Sequence, residues 1–161
     1  MFALTRRLTL RPGWPEDAPA LSEAIGHEPV VRNLARAPHQ PRFQIMTRGE
    51  NQLIGGIELI ALGAGVHELG YWLTPTAWGR GYATEAGRAV IDIARHALGG
   101  ERLLGRYMID NPASGRVLRK LGFVEIGGGR LFSVARHAEI ECVELALDLA
   151  EPCAPPMPIA A

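Results

Sequence analysis

Residues Leu69 to Ala86 read Leu-Gly-Tyr-Trp-Leu-Thr-Pro-Thr-Ala-Trp-Gly-Arg-Gly-Tyr-Ala-Thr-Glu-Ala. An apolar, strand-like run passes through a Pro-containing loop into a Gly-Arg-Gly turn, and then into an amphipathic helix. A helix that begins near Gly81 leaves its first N–H groups without intrahelical partners, and its macrodipole adds partial positive charge there. Gly79 and Gly81 carry no Cβ, so an anion can approach the backbone closely. Arg80 and Arg88 add charge nearby. The stretch reads as a seat for an anion, a phosphate in particular.

Outward from this stretch the pattern is mixed. Upstream, Arg6 to Arg11 alternates with Leu8 and Leu10 on one face and reads as a strand. Pro15 to Gly26 and Pro29 to Ala37 read as two short helical pieces. Phe43 to Thr47 and Gln52 to Ile60 read as strands joined by a hairpin turn at Arg48-Gly49-Glu50-Asn51. Gly55-Gly56 predicts a bulge or a close backbone approach, and Glu68 to Leu73 is the next strand. Downstream, Thr84 to Leu98 carries a 3.6-residue apolar period ended by Gly99-Gly100. Leu103 to Ile109 reads as a strand. Asn111 stands as N-cap and Pro112 as first residue of a helix to Leu121. Phe123 to Ile126 and Glu139 to Leu149 complete the strands, and a change of face between Cys142 and Val143 predicts a bulge. The order implies one α/β (α+β) domain over residues 5–150. Its central sheet of about seven strands is mostly antiparallel and flanked by helices, with one parallel strand–helix–strand crossover from Glu68 to Ile109.

Composition narrows the class. The chain has 161 residues, enough for one domain with a sizeable core, and is 47% hydrophobic and 21% charged. Seventeen basic and seventeen acidic residues give a formal net charge of zero, so no global charge excess points to a nucleic-acid or membrane partner. The two cysteines, Cys142 and Cys153, form no framework and fit a reducing cytoplasm. Cys142 alternates with core positions and reads as packing. No apolar run approaches the ~20 residues that span a bilayer, and the N-terminus does not read as a signal peptide. Residues 151–161 read as a mobile Pro-rich tail. His27, His39, His67, His96 and His137 show no ligand spacing, so no metal site is expected.

Three phosphate-binding readings compete for the Gly-Arg-Gly turn. A Walker loop needs Gly-Lys-Ser/Thr at the helix start, which is missing. A Rossmann fingerprint needs a third glycine where Thr84 stands, and an earlier strand. The pyrophosphate of coenzyme A remains. Against all three stands the plainer reading that the glycines only permit tight strand-to-helix packing.

Four segments in order, Gly70-Tyr71-Trp72-Leu73, Trp78 to Ala86, Asn111-Pro112-Ala113-Ser114 and Leu121-Gly122-Phe123, resemble the GNAT superfamily of acyl-CoA N-acyltransferases. Within it the ribosomal-protein N-terminal acetyltransferase branch is the most similar. The resemblance covers about Thr5 to Ala150. It implies acetyl-CoA as co-substrate, a primary amine as acceptor (a protein or peptide N-terminus or a small molecule), no metal, and a monomer or homodimer. Carried over position by position, Leu73, Trp78, Gly79, Arg80, Gly81, Ala83 and Thr84 form the cofactor-binding set, with Asn111 near the pantetheine arm. Trp78 replaces the first residue of the family's usual phosphate-loop motif. Asn111 has helix capping as an alternative role.

The resemblance implies direct attack of an amine on a thioester. Ser114 is the residue placed beside the departing sulfur, where its hydroxyl would hydrogen-bond the developing thiolate; the alternative is an ordinary residue of a first helical turn. Many family members carry a tyrosine four residues before the glycine of Leu-Gly-Phe, where this chain has Leu118. Glu68, at the start of the cofactor strand, is the candidate base, with a solvated strand-end carboxylate as the alternative. His67 and His137 are weaker candidates, and proximity with water alone is a further one. The segment between Ala37 and Phe43 is shorter than in the ribosomal-type branch, which implies a more open acceptor groove. A loop from Gly127 to Ala138 would form the opposite wall, with Arg130, Arg136 and His137 facing the acceptor. A coenzyme A-binding sensor or interaction module without turnover is the competing function.

Overall fold

The structure, a computed structural model, describes residues 2–31 and 42–149. The chain runs β1 (Ala3–Leu4), β2 (Leu8–Arg11), α1 (Ala18–Ile25), α2 (Glu28–Val31), β3 (Arg42–Thr47), β4 (Leu53–Gly63) and β5 (Val66–Leu73). It continues through α3 (Tyr82–His96), β6 (Arg102–Met108), α4 (Pro112–Lys120), β7 (Val124–Ser133) and β8 (Ala138–Asp148). One 8-stranded sheet has the order β1-β2-β3-β4-β5-β6-β8-β7. All neighbours are antiparallel except β5 and β6, which the α3 crossover makes parallel. The expected mixed sheet therefore forms, and the added strand is β1, paired to β2 through a turn at Arg6-Arg7. The helical piece expected at 29–37 is described only as far as α2, and positions 32–41 and 150–161 lie outside the described residues.

Strand alternation divides the sheet into two unlike faces. One face carries Leu8, Leu10, Phe43, Ile45, Ile57, Leu59, Leu69, Leu103 and Leu145, all in the core cluster. Against it pack the buried stripe of α3 (Ala83, Ala86, Gly87, Val90, Ile91 and Ala94) and Leu118 of α4. Leu118, 1% exposed, is a core residue here; burying a side chain of this size fully contributes about 1.5–3 kcal/mol. The other face is more polar, with Gln44, Glu58, Glu68 and Arg106 among the cleft-lining residues.

Gly55-Gly56 proves to be a close approach, with a bulge just before it. The register between β3 and β4 slips beside Ile45/Met46, leaving Ile54 as the extra residue. A Cβ on Gly55 would collide with the Trp72 carbonyl, and one on Gly56 with the Trp72 indole. Two other expectations are corrected. Gly127 to Ser133 is strand, not loop, because its backbone pairs with β8 along a long hairpin whose turn occupies 134–137. The bulge expected at Cys142/Val143 is absent from β8, which pairs with β6 in unbroken register from Met108↔Cys142 to Arg102↔Asp148. The pairing with β7 is also regular at that step, Gly128↔Val143 and Gly129↔Cys142; a separate bulge lies in β7, where Ile126 is the extra residue opposite the Leu145/Glu144 step.

The start of α1 is fixed to the end of β2 by a buried fork. Arg11, 6% exposed, donates from its two terminal nitrogens to Asp17 at 2.6 and 2.7 Å, and the Trp14 N–H donates to the same carboxylate at 2.7 Å. The Arg11 guanidinium also lies over the Trp14 ring at 4.2 Å. Arg11 is the main reason that the Asp17 carboxyl falls from 3.8 to about 2. A carboxyl depressed in the folded state stabilises it fully above its unfolded value and loses that contribution as pH falls through the folded one. Acid unfolding followed by circular dichroism should therefore show wild type losing stability between about pH 4 and pH 2. Asp17→Asn should be less stable at neutral pH and flatter across that window; an equally steep acid limb in the variant would contradict the fork's role.

Candidate functional site

The parallel pairing of β5 with β6 lasts for three register positions only, Val66↔Arg102, His67↔Leu103 and Glu68↔Leu104. Beyond Glu68, β5 stays paired to β4 through Leu73, while β6 stays paired to β8 through Met108. Their inner edges separate, and the sheet opens as a wedge. Peptide groups alternate direction along a strand. The Thr74 N–H bonds Ile54 on the β4 side, and the Gly65 carbonyl accepts from Glu101 on the β6 side. The same alternation turns the peptide groups of Tyr71 and Leu73 into the wedge. A cleft of about 1300 Å³ runs through it, bordered by both faces of the sheet.

The expected anion cradle closes one end of this cleft. Gly79 and Gly81 have φ of 71° and 77°, a left-handed conformation that disfavours any residue with a Cβ. Gly81 is the N-cap of α3 and makes no side-chain cap bond, so among the described residues the backbone donors of the first turn are open to an anion. Ala83 and Thr84 continue the lining. Trp78, 49% exposed, donates its indole N–H to the Leu73 carbonyl at 2.9 Å. That bond ties the loop to the end of β5. Arg80 is exposed beside it.

Arg7 belongs to this cradle and carries no local signal in the sequence. Glu85, in the first turn of α3, accepts from the Thr5 hydroxyl at 2.7 Å, the Arg7 N–H at 2.8 Å and Arg7 Nε at 2.7 Å. The Arg7 guanidinium also lies 4.5 Å from the Tyr82 ring centre. Held in this way, it comes within 3.6 Å of where a Cβ would stand on Gly81.

At the other end stands α4, whose first turn carries Ser114. The Tyr71 hydroxyl donates to the Ser114 carbonyl at 2.9 Å and lies 2.8 Å from Ser114 Oγ. Burial pushes the Tyr71 phenol up to about 12, so it keeps its proton at neutral pH. A phenol has one proton: it either bonds the carbonyl and accepts from the serine, or bonds Ser114 Oγ and frees the serine proton. Asn111 occupies the N-cap position of α4 but makes no capping bond with its side chain, and it lines the cleft. Its carboxamide is therefore available to a ligand.

Glu68 lies at the apex of the wedge, on the opposite sheet face from Tyr71. Its side chain is 13% exposed, and Arg106 donates to one oxygen from Nε at 3.1 Å and to the other from a terminal nitrogen at 2.5 Å. Gln44, 4% exposed on the same face, donates to Asp17. Its Oε1 meets no donor among the described residues. Of the basic side chains expected at the acceptor, Arg130 lines the cleft together with Leu131 and Phe132. Arg136 pairs with Asp110 at 2.7 Å and Arg130 with Glu139 at 3.4 Å, while His137 sits in the hairpin turn with φ of 48°. Among the described residues no group of three or more His, Cys, Asp or Glu could hold a metal ion.

The cradle, with a strand edge and an asparagine that have no partner among the described residues, suits an extended ligand with a phosphate at one end. The family model described as "Acetyltransferase (GNAT) domain" matches residues 7–124. Uncharacterized N-acetyltransferase YoaA of Bacillus subtilis is 33% identical over 115 residues, which are 70% of this chain and 64% of YoaA. The chain thus spans less than two thirds of that relative's length. Ribosomal-protein-S5-alanine acetyltransferase from Vibrio fischeri superposes with a TM-score of 0.78 at 17% identity, covering 92% of this chain and 96% of its own. Spermidine N-acetyltransferase from Vibrio cholerae, solved with CoA and spermine, gives 0.76 at 18% identity, covering 90% and 97%. At those identities the superpositions speak for the fold, and the family match speaks for descent: this chain belongs to the GNAT acetyltransferase family.

Proposed function

We propose that the protein is an acetyl-CoA-dependent N-acetyltransferase that acts on a primary amine in a ternary complex. The observation that carries this reading is the wedge after Glu68, open along β5 and capped by the free N-terminus of α3. Gly79, Gly81, Ala83 and Thr84 would hold the pyrophosphate with backbone donors, with Arg7 and Arg80 adding charge. The peptide groups of Tyr71 and Leu73 and the Asn111 carboxamide would hold the pantetheine arm. Trp78 fixes the loop between these two sets. When bound, the thioester supplies the acetyl group, a C–N bond forming to the amine as the C–S bond breaks.

The chain's own residues divide the proton work between the two faces of the sheet. On the α4 side, the Tyr71 hydroxyl would turn its one proton from the Ser114 carbonyl to Ser114 Oγ, which frees the serine proton for the developing negative charge on sulfur. A tyrosine thus serves this position from strand β5, where Leu118 has taken the helical place into the core. On the other face, the Glu68 lone pairs not bonded to Arg106 take the proton of the incoming amine, directly or through water. Gln44 Oε1, a buried acceptor without a donor among the described residues, suits an N–H of the same amine. The superposition on ribosomal-protein and spermidine acetyltransferases supports an acceptor among peptide N-termini or small amines, and Trp78 agrees with the ribosomal-type branch.

Two measurements test this. Gly81→Glu should remove CoA binding in calorimetry, because it places bulk and like charge at the phosphate seat; unchanged affinity would refute the seat. Release of free thiol from acetyl-CoA, screened over peptides and polyamines, should depend on the acceptor. Ser114→Ala should lower kcat about tenfold or more, and Tyr71→Phe about threefold or more, with CoA affinity nearly unchanged. Glu68→Gln should lower kcat and flatten the pH–rate profile, and an unaltered profile at full rate would remove Glu68 from the base role. CoA binding with no acceptor-dependent thiol release would favour a sensor or interaction module.

A further inference from the structure

A second, smaller cavity of about 480 Å³ lies beside the α3 N-terminus, lined by Arg6, Arg7, Gly81, Thr84, Glu85, Arg88 and Lys120. Its side chains come from the β1–β2 turn, the first turns of α3 and the end of α4. Four are basic and one is acidic, in a chain whose formal net charge is zero. The one carboxylate, Glu85, is already engaged by Arg7 and Thr5. Arg6, Arg88 and Lys120 form no ion pair among the described residues. Like charges gathered without counter-ions repel one another and disfavour the empty fold, so such a cluster suits an anionic ligand.

The cavity is an annex of the main cleft. Gly81, Thr84 and Lys120 line both, and Arg116, one helical turn before Lys120, lines the main cleft along α4. A ligand that begins at Ser114 and lays a pyrophosphate on the α3 N-terminus thus has a second phosphate position waiting beyond it. Resting on the cofactor reading above, we propose that this annex binds the 3′-phosphate of the coenzyme A ribose. A phosphomonoester carries nearly two negative charges at neutral pH, which the guanidinium of Arg88 and the ammonium of Lys120 meet as charge-assisted donors, with Arg6 at the rim. The protein then discriminates between coenzyme A and its 3′-dephospho form.

Calorimetry with these two ligands tests the assignment. Wild type should bind CoA about tenfold more tightly than 3′-dephospho-CoA, and the preference should shrink as salt rises. The double variant Arg88→Met/Lys120→Met changes two exposed side chains and should weaken CoA about tenfold more than the dephospho form, so that the preference between the two ligands is lost. Equal wild-type affinity for the two ligands overturns the annex assignment and leaves the cofactor reading standing. An equal loss of both ligands in the double variant also overturns it, since the side chains would then serve the pyrophosphate. Binding of neither ligand to wild type overturns the cofactor reading and this proposal with it.

Discussion

The function rests on a hydrogen-bond ladder that stops early. β5 and β6 are paired through Glu68 and Leu104 and no further, although each continues along its other neighbour. Unmade backbone bonds inside a protein are costly. A gap of this kind persists only if the surrounding elements hold both edges in place. Here β4 holds one edge and β8 the other, each over many register positions, while α3 and α4 pack beneath them. The wedge is therefore a property of the whole sheet and not of the residues that line it.

That one opening explains why chemistry-bearing groups far apart in sequence meet. The crossover through α3 is what makes β5 and β6 parallel, and it also delivers the α3 N-terminus to the end of β5. The chain leaving β6 starts α4 at the mouth of the gap, where Tyr71 can reach Ser114 across 43 positions. The pleat then sends Tyr71 toward the helices and Glu68 toward the polar face. The Tyr71–Ser114 pair and the Glu68–Arg106 pair are thereby kept apart by the strand itself. Close packing supports the arrangement: Gly105 lies under Leu118, and Gly115 against Tyr107, so α4 can sit tightly on β6.

Much of this was legible in the chain because the signals were local. The 3.6-residue period of α3, the Gly-Arg-Gly turn before it and the Asn-Pro start of α4 are each written in a few adjacent residues. So was the double glycine of β4, whose partner is the bulky Trp72. What stayed hidden depends on pairing across the sheet. Gly127-Gly128-Gly129 looks like a chain breaker, yet it is strand because β8 supplies its hydrogen bonds. The change of face between Cys142 and Val143 suggests a bulge, yet both neighbours pair there in unbroken register; side-chain type alone does not show how a ladder is paired. Arg7 in the cradle, Arg106 on Glu68 and Tyr71 on Ser114 are long-range meetings of ordinary residue types, and composition gives no hint of them.

Hydrogen exchange at single amides addresses the wedge itself. The peptide N–H groups of Tyr71 and Leu73 face the gap, and those of Tyr82 and Ala83 open the free end of α3. On addition of coenzyme A these amides should exchange markedly more slowly, while those in the β2–β3 ladder keep their rates. Protection that leaves Tyr71, Leu73, Tyr82 and Ala83 unchanged while CoA binds would show that the ligand lies elsewhere, and would contradict the account.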